Sequence, residues 1–130
     1  MASIRKEIPI AARPEDVWDA VRDVGALHTR LVPGFVVNTQ LEQGERIVTF
    51  ANGMTIREPI VAIDEEHRRL VWSAVGGQLA HYNASAQVFG NGDRSATVVW
   101  TADFLPHEAA SFVGSMMEQG AAAMKAAFDR

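Results

Sequence analysis

The feature that most constrains this chain is a change of hydrophobic period at Pro106. Before it, from Phe35 to Phe104, apolar residues recur mainly at every second position; after it they recur at helical spacing. Phe35, Val37, Thr39 and Leu41 share one face of an extended segment, and Val48 and Phe50 continue the pattern after Gly44. Met54, Ile56, Glu58, Ile60 and Ala62 form a third such row, and Leu70, Trp72 and Ala74 a fourth. Tyr82, Ala84, Ala86 and Val88 make the fifth; Ala96, Val98, Trp100, Ala102 and Phe104 make the sixth. Short turn signals separate the rows: Asn52-Gly53, Asp64 to His67, Gly76-Gly77 and Gly90 to Asp93. Consecutive strands with short turns predict an antiparallel meander, apolar on one face.

From His107 onward Ala109, Phe112, Val113, Met116, Met117, Gly120 and Met124 fall on one broad helical stripe that continues to Ala127 and Phe128. This long helix is the element able to cover the apolar face of the sheet. Upstream, Ile4, Ile8 and Ile10 predict a first strand. Pro14 suits a first helical position, and Glu15 and Asp16 suit the positive end of a helix dipole. Val17, Val21 and Val24 give that helix its apolar side, Gly25 ends it, and Ala26 to Leu31 predicts one more short helical turn. The expected order is β-α-α-β6-α, an α+β chain read as one domain over residues 1–130.

Charge and composition exclude several function classes. Twelve basic against 16 acidic residues give a formal net charge of -4, and no stripe of Lys or Arg could track a phosphate backbone, so no nucleic acid partner is expected. With no cysteine there is neither a disulfide framework nor thiolate chemistry. The N-terminus lacks the apolar core of a secretory leader, and no apolar run approaches the roughly 20 residues of a membrane span. A cytoplasmic location fits. His28, His67, His81 and His107 show no metal-ligand spacing, and no phosphate loop or redox motif is present, so no metal and no cofactor is expected.

Two residues on the apolar face are candidates for chemistry. Glu58 sits between Ile56 and Ile60, where an ionised carboxylate is costly unless paired or protonated. It reads as a general acid/base or ligand anchor, or equally as a structural ion pair with Lys6 or an arginine. Tyr82, among alanines, offers an apolar ring and one hydroxyl, as a catalytic group or as a core tyrosine. Trp72 and Trp100 supply large apolar surfaces, with Phe35, Phe50 and Ile56 beside them. Phe112, Met116 and Met117 suit an adaptable wall. Gly120, mid-helix on the sheet-facing stripe, predicts either space for a ligand beneath it or a close approach of helix to sheet.

Several stretches together resemble the START/Bet v 1-like (SRPBCC) superfamily. They are Pro14-Glu15-Asp16-Val17-Trp18, Gly34 opening a strand, Arg57-Glu58, Arg68 to Gly77, and Val99-Trp100 through Phe104-Leu105-Pro106. The resemblance is closest to small bacterial polyketide cyclase/dehydrase-like members, with a likeness to plant abscisic acid receptors around Gly76 to Leu79 and His81-Tyr82. It implies a helix-grip (Bet v 1-like) fold, a curved seven-stranded antiparallel sheet around a long C-terminal helix. It also implies an internal cavity for a small hydrophobic ligand, with Glu58, Trp72 and Tyr82 facing inward. The superfamily hosts carriers, receptors and enzymes, so the fold assigns no reaction. The expected function is binding of a small, largely apolar molecule, with polyketide cyclase/dehydratase-like activity if Glu58 moves a proton and Tyr82 holds a carbonyl. The alternatives are a non-enzymatic carrier or sensor, whose loops around Gly53 and Gly76-Gly77 close on ligand, and a protein-interaction module.

Overall fold

The computed structural model describes residues 2–76 and 79–129. Strand β1 (Ala2–Ile10) leads into helix α1 (Pro14–Arg22), a 3-10 turn (Val24–Ala26) and a π-type turn (Leu27–Leu31). Six strands follow: β2 (Val36–Glu42), β3 (Glu45–Phe50), β4 (Thr55–Asp64), β5 (Arg69–Ser73), β6 (His81–Gly90) and β7 (Ala96–Leu105). A 3-10 turn (His107–Ala109) opens helix α2 (Ala110–Phe128). Every strand pair is antiparallel, in the order β1-β7-β6-β5-β4-β3-β2, so the meander is complete and β1 closes it against β7. The predicted helix-grip order is therefore present.

Local chemistry accounts for the joints. Pro14 opens α1 with no side-chain cap from Arg13, and Glu15 and Asp16 occupy its first turn. The β2–β3 hairpin turns on Gln43 and Gly44, both at positive φ, as a two-residue loop of matching twist requires. At the β3–β4 turn only Gly53 has positive φ, and Asn52 instead accepts a hydrogen bond from the Met54 N–H at 2.9 Å. Gly76 has positive φ, while Gly77, the other half of the predicted break, lies outside the described residues.

Two bulges bend the sheet. One lies between Val36 and Asn38, the other between Ile60 and Ala62. The first corrects the predicted face of β2: Val36 is buried at 1% exposure and Val37 stands out at 54%. Thr39 returns to the inside, and Leu41, though largely exposed, leans on Gly25.

The core fills the concave side. Val17, Trp18 and Val21 of α1 pack at one end of the sheet, and the Trp18 indole N–H donates to Glu65 at 2.8 Å, tying the helix to the β4–β5 turn. Val113, Met117, Gly120 and Met124 are the buried stripe of α2. Alanines stand among the larger inner residues of β6 and β7. Ala84, Ala86 and Ala102 are all buried, and Ala74 continues the row beyond β5. Ala84 and Ala102 are packed in the core, while Ala74 and Ala86 border open space above the sheet.

Candidate ligand cavity

A cavity of about 780 Å³ lies between the concave face of the sheet, α2 and the Leu27–Leu31 turn. That is within the range of small-molecule sites. Phe35, Phe50, Ile56 and Trp72 contribute wall from the sheet side, and Trp100 from β7. Phe112, Met116 and Met117 contribute from α2. Phe112 is 49% exposed, so it stands at the mouth rather than in the interior. Phe35 and Phe50 meet edge to face, ring centroids 5.3 Å apart.

Gly120 does not line this space, which corrects its expected role. A Cβ there would stand 2.8 Å from Cη2 and Cζ3 of Trp100 and 3.2 Å from Cε2 of Phe35. The glycine lets the helix close onto the Trp100 ring; close approach, not room for ligand, explains it.

Polar groups in the wall are few and largely clustered. Glu58 on β4 faces Arg46 on β3 in the strand register, and Arg46 Nε donates to Glu58 Oε1 at 2.8 Å. Both side chains are almost fully buried. The guanidinium also lies over the Trp72 ring, 5.2 Å from its centroid, so the cation is held on two sides. Lys6, the other partner considered for Glu58, pairs with Glu118 of α2 instead. Burial pushes the Glu58 carboxyl above its ordinary value, and the Arg46 charge and hydrogen bond pull against it without cancelling the rise.

Strand pairing brings Tyr82 to the same end. The Val75 N–H donates to the Arg57 carbonyl at 2.9 Å, and the Ala74 N–H donates to the Tyr82 carbonyl at 3.2 Å, which continues the row from β4 to β6. Burial, then the nearby Glu58 charge, holds the Tyr82 hydroxyl above its ordinary value, so it remains a protonated donor. Among the described residues, Arg46 Nε to Glu58 Oε1 is the one hydrogen bond within this trio. The terminal nitrogens of Arg46, Oε2 of Glu58 and the Tyr82 hydroxyl remain available to a guest.

Arg46 was missed in the sequence, although the signal was there: the row Val48, Phe50 extends back two positions to Arg46. Trp100 carries a further polar atom. Its Nε1 is buried and has no acceptor among the described residues, a condition that costs about 1–3 kcal/mol for a neutral donor. His28 hydrogen-bonds Thr39 through Nδ1 at 3.1 Å and stays out of the cavity wall. Among the described residues no group of His, Asp and Glu side chains is arranged to hold a metal ion, and no helix is long and apolar enough to cross a membrane.

Residues 1–129 match the family model for polyketide cyclase / dehydrase and lipid transport. The chain belongs to that family. Family membership and fold agree, since solved structures share the helix-grip arrangement over almost the whole chain. The protein XoxI from Bacillus cereus superposes with a TM-score of 0.87 at 22% identity, covering 98% of this chain and 96% of that one. A START superfamily protein from Mycobacterium smegmatis gives 0.82 at 12% identity, covering 98% and 97%. Norcoclaurine synthase from Thalictrum flavum, in complex with dopamine and hydroxybenzaldehyde, gives 0.68 at 19%, covering 93% and 84%. No curated protein matches the chain in sequence. The family's fold is one that binds hydrophobic ligands.

Proposed function

We propose that this protein binds a small, largely apolar, uncharged molecule in the cavity and holds a carbonyl-bearing end of it against Arg46, Glu58 and Tyr82. The observation that carries the reading is the buried Arg46–Glu58 pair, set in an otherwise apolar wall of a cavity of about 780 Å³. The pair is neutral as a unit, so a charged guest would bring an uncompensated charge into low dielectric. The family description and the ligands of norcoclaurine synthase support a small-molecule guest.

The same groups suit cyclase- or dehydratase-type chemistry. Tyr82 and the terminal nitrogens of Arg46 donate to the ketone oxygen. Glu58 takes a proton from the adjacent carbon, and the C–H electron pair moves through the enolate to the oxygen those donors hold. The enolate carbon then attacks a second carbonyl of the same guest, forming a carbon–carbon bond, and Glu58 returns its proton to the new alkoxide. Loss of water would follow by the same proton relay. Holding a flexible chain in one conformer supplies much of the rate.

A second reading, a carrier without chemistry, is favoured by the hydrogen bond from Arg46, which occupies Oε1 of Glu58 and offsets part of the basicity that burial gives it. Native mass spectrometry of freshly purified protein, with displacement of the neutral dye Nile red, tests binding. A co-purified small molecule or saturable dye binding is expected. Protein that carries nothing and binds no dye would overturn both readings. Turnover of a linear poly-β-ketone that is lost in Glu58→Gln but retained in a surface variant such as Glu66→Gln selects the enzyme; binding without turnover selects the carrier.

A further inference from the structure

We infer that the guest carries a long unbranched apolar chain, whose far end passes between Phe35 and Phe50 into a second cleft beside α2. The inference rests on the cavity reading above and adds the class of ligand, a long-chain molecule with one carbonyl end. A cleft of about 360 Å³ lies among the Pro33-Gly34 turn, the β3–β4 turn and α2. Phe35, Phe50 and Met116 line both this cleft and the main cavity. The partition between the two spaces is therefore one side chain thick.

The backbone around the partition is tied, and its side chains are not. The Ala51 N–H donates to the Phe35 carbonyl at 2.9 Å, and the Phe50 N–H donates to the Met54 carbonyl at 2.8 Å. The three side chains are half-buried, and the two rings meet edge to face. Met116 is unbranched and refits readily, and the Asn52 amide reaches its Sδ only at 4.0 Å. Rotamer changes of accessible side chains are fast and need no strand to part.

One strand links the polar cluster to this partition. Arg46, Val48 and Phe50 follow one another on the same face of β3, so four residues separate Arg46 from Phe50. At the rise of an antiparallel strand that is about 13 Å. A carbonyl held at Arg46 thus directs a straight chain past Val48 toward the two rings. Beyond them, among the described residues, the cleft has no charged side chain in its wall. Its polar side chains are the neutral Asn52 and Gln119, and Ala51, Ala122 and Ala123 add small apolar surface. That lining suits an uncharged chain end and disfavours a terminal carboxylate or ammonium, whose charge would find no partner there.

The test uses nonan-2-one, whose extended chain ends short of Phe50, and heptadecan-2-one, whose extended chain passes it. Each competes against Nile red on the intact protein. With heptadecan-2-one labelled with ¹³C at the methyl remote from the carbonyl, that methyl should show nuclear Overhauser contacts to the Ala122 and Ala123 methyl protons. This measurement needs no variant to fold. Ala122 is exposed and lines the cleft but not the main cavity. Ala122→Trp should therefore weaken heptadecan-2-one about tenfold, the worth of roughly two buried methylenes, and leave nonan-2-one unchanged. A remote methyl that contacts Met124 and neither alanine would place the chain folded inside the main cavity and overturn the proposal. Equal affinity of wild type and Ala122→Trp for heptadecan-2-one would do the same. If nonan-2-one displaces the dye and heptadecan-2-one does not, the second cleft is wrong while the cavity reading stands. If Nile red does not bind at all, the cavity reading itself fails.

Discussion

Arg46 and Glu58 face each other across β3 and β4 and share one hydrogen bond of 2.8 Å, with the guanidinium resting on Trp72. A cation and an anion have thus been placed in an apolar wall where neither is tolerable alone. Removing one partner of such a pair strands the other, at about 3–5 kcal/mol. Arg46→Met should therefore lower stability by that order in chemical denaturation. The double variant Arg46→Met/Glu58→Leu should recover most of the loss, because an apolar pair of similar volume restores the wall. A double variant no more stable than the single one would show that the pair holds the two strands in a way apolar packing cannot replace.

The pH dependence of stability follows from the direction of the Glu58 shift. Its folded value is raised above the ordinary 4.5, so the folded state holds the proton more tightly than the unfolded chain does. This contribution to stability is fully present below 4.5 and is lost as pH rises through the folded value. Thermal unfolding of wild type and Glu58→Gln across that window should show the wild type losing ground to the variant as pH increases. The opposite trend would mean that Arg46 outweighs burial and Glu58 is a permanent carboxylate.

Tyr82 is the one tyrosine of the chain, so phenolate absorbance reports on it alone. Burial keeps its hydroxyl above the ordinary value of 10.0. Spectrophotometric titration should show no ionisation near 10 and a late rise that coincides with alkaline unfolding seen by circular dichroism. A reversible transition at the ordinary value, in folded protein, would place the hydroxyl in solvent and remove it from the site.

Gly120→Ala adds a methyl group where Trp100 and Phe35 already stand. Helix propensity gains up to about 1 kcal/mol from this change, but overpacking of a rigid ring costs about 1–3 kcal/mol. A net loss of stability is expected, with the Trp100 fluorescence altered. A variant at least as stable as wild type, with unchanged fluorescence, would mean that the contact is loose.

The strands were legible because alternation survives wherever one face is buried, and Val48, Trp72 and Val98 all kept their predicted side. Val37 did not, because the register shifts between Val36 and Asn38 and leaves Val37 as the extra residue, turned outward. Glu58 could be read as buried from its neighbours, but its partner could not be chosen: several arginines and Lys6 were equally available until the β3–β4 register put Arg46 opposite. Gly120 shows the same gap. One dimension says that a small residue sits on an apolar stripe; which ring fills the space beside it depends on how β7 lies under α2.

The alanine floor under α2 has a consequence for how such a chain can diverge. The groups proposed to hold a guest stand on β3, β4 and the start of β6, while Ala74 and Ala86 line the same cavity and set how much space lies beside them. Single steps from alanine to valine or back would shorten or lengthen the admissible guest by small increments and leave the recognising groups in place. Size selectivity and chemical selectivity are written at separate positions, so descendants of one ancestor could exchange molecules of different bulk while retaining the same polar contacts.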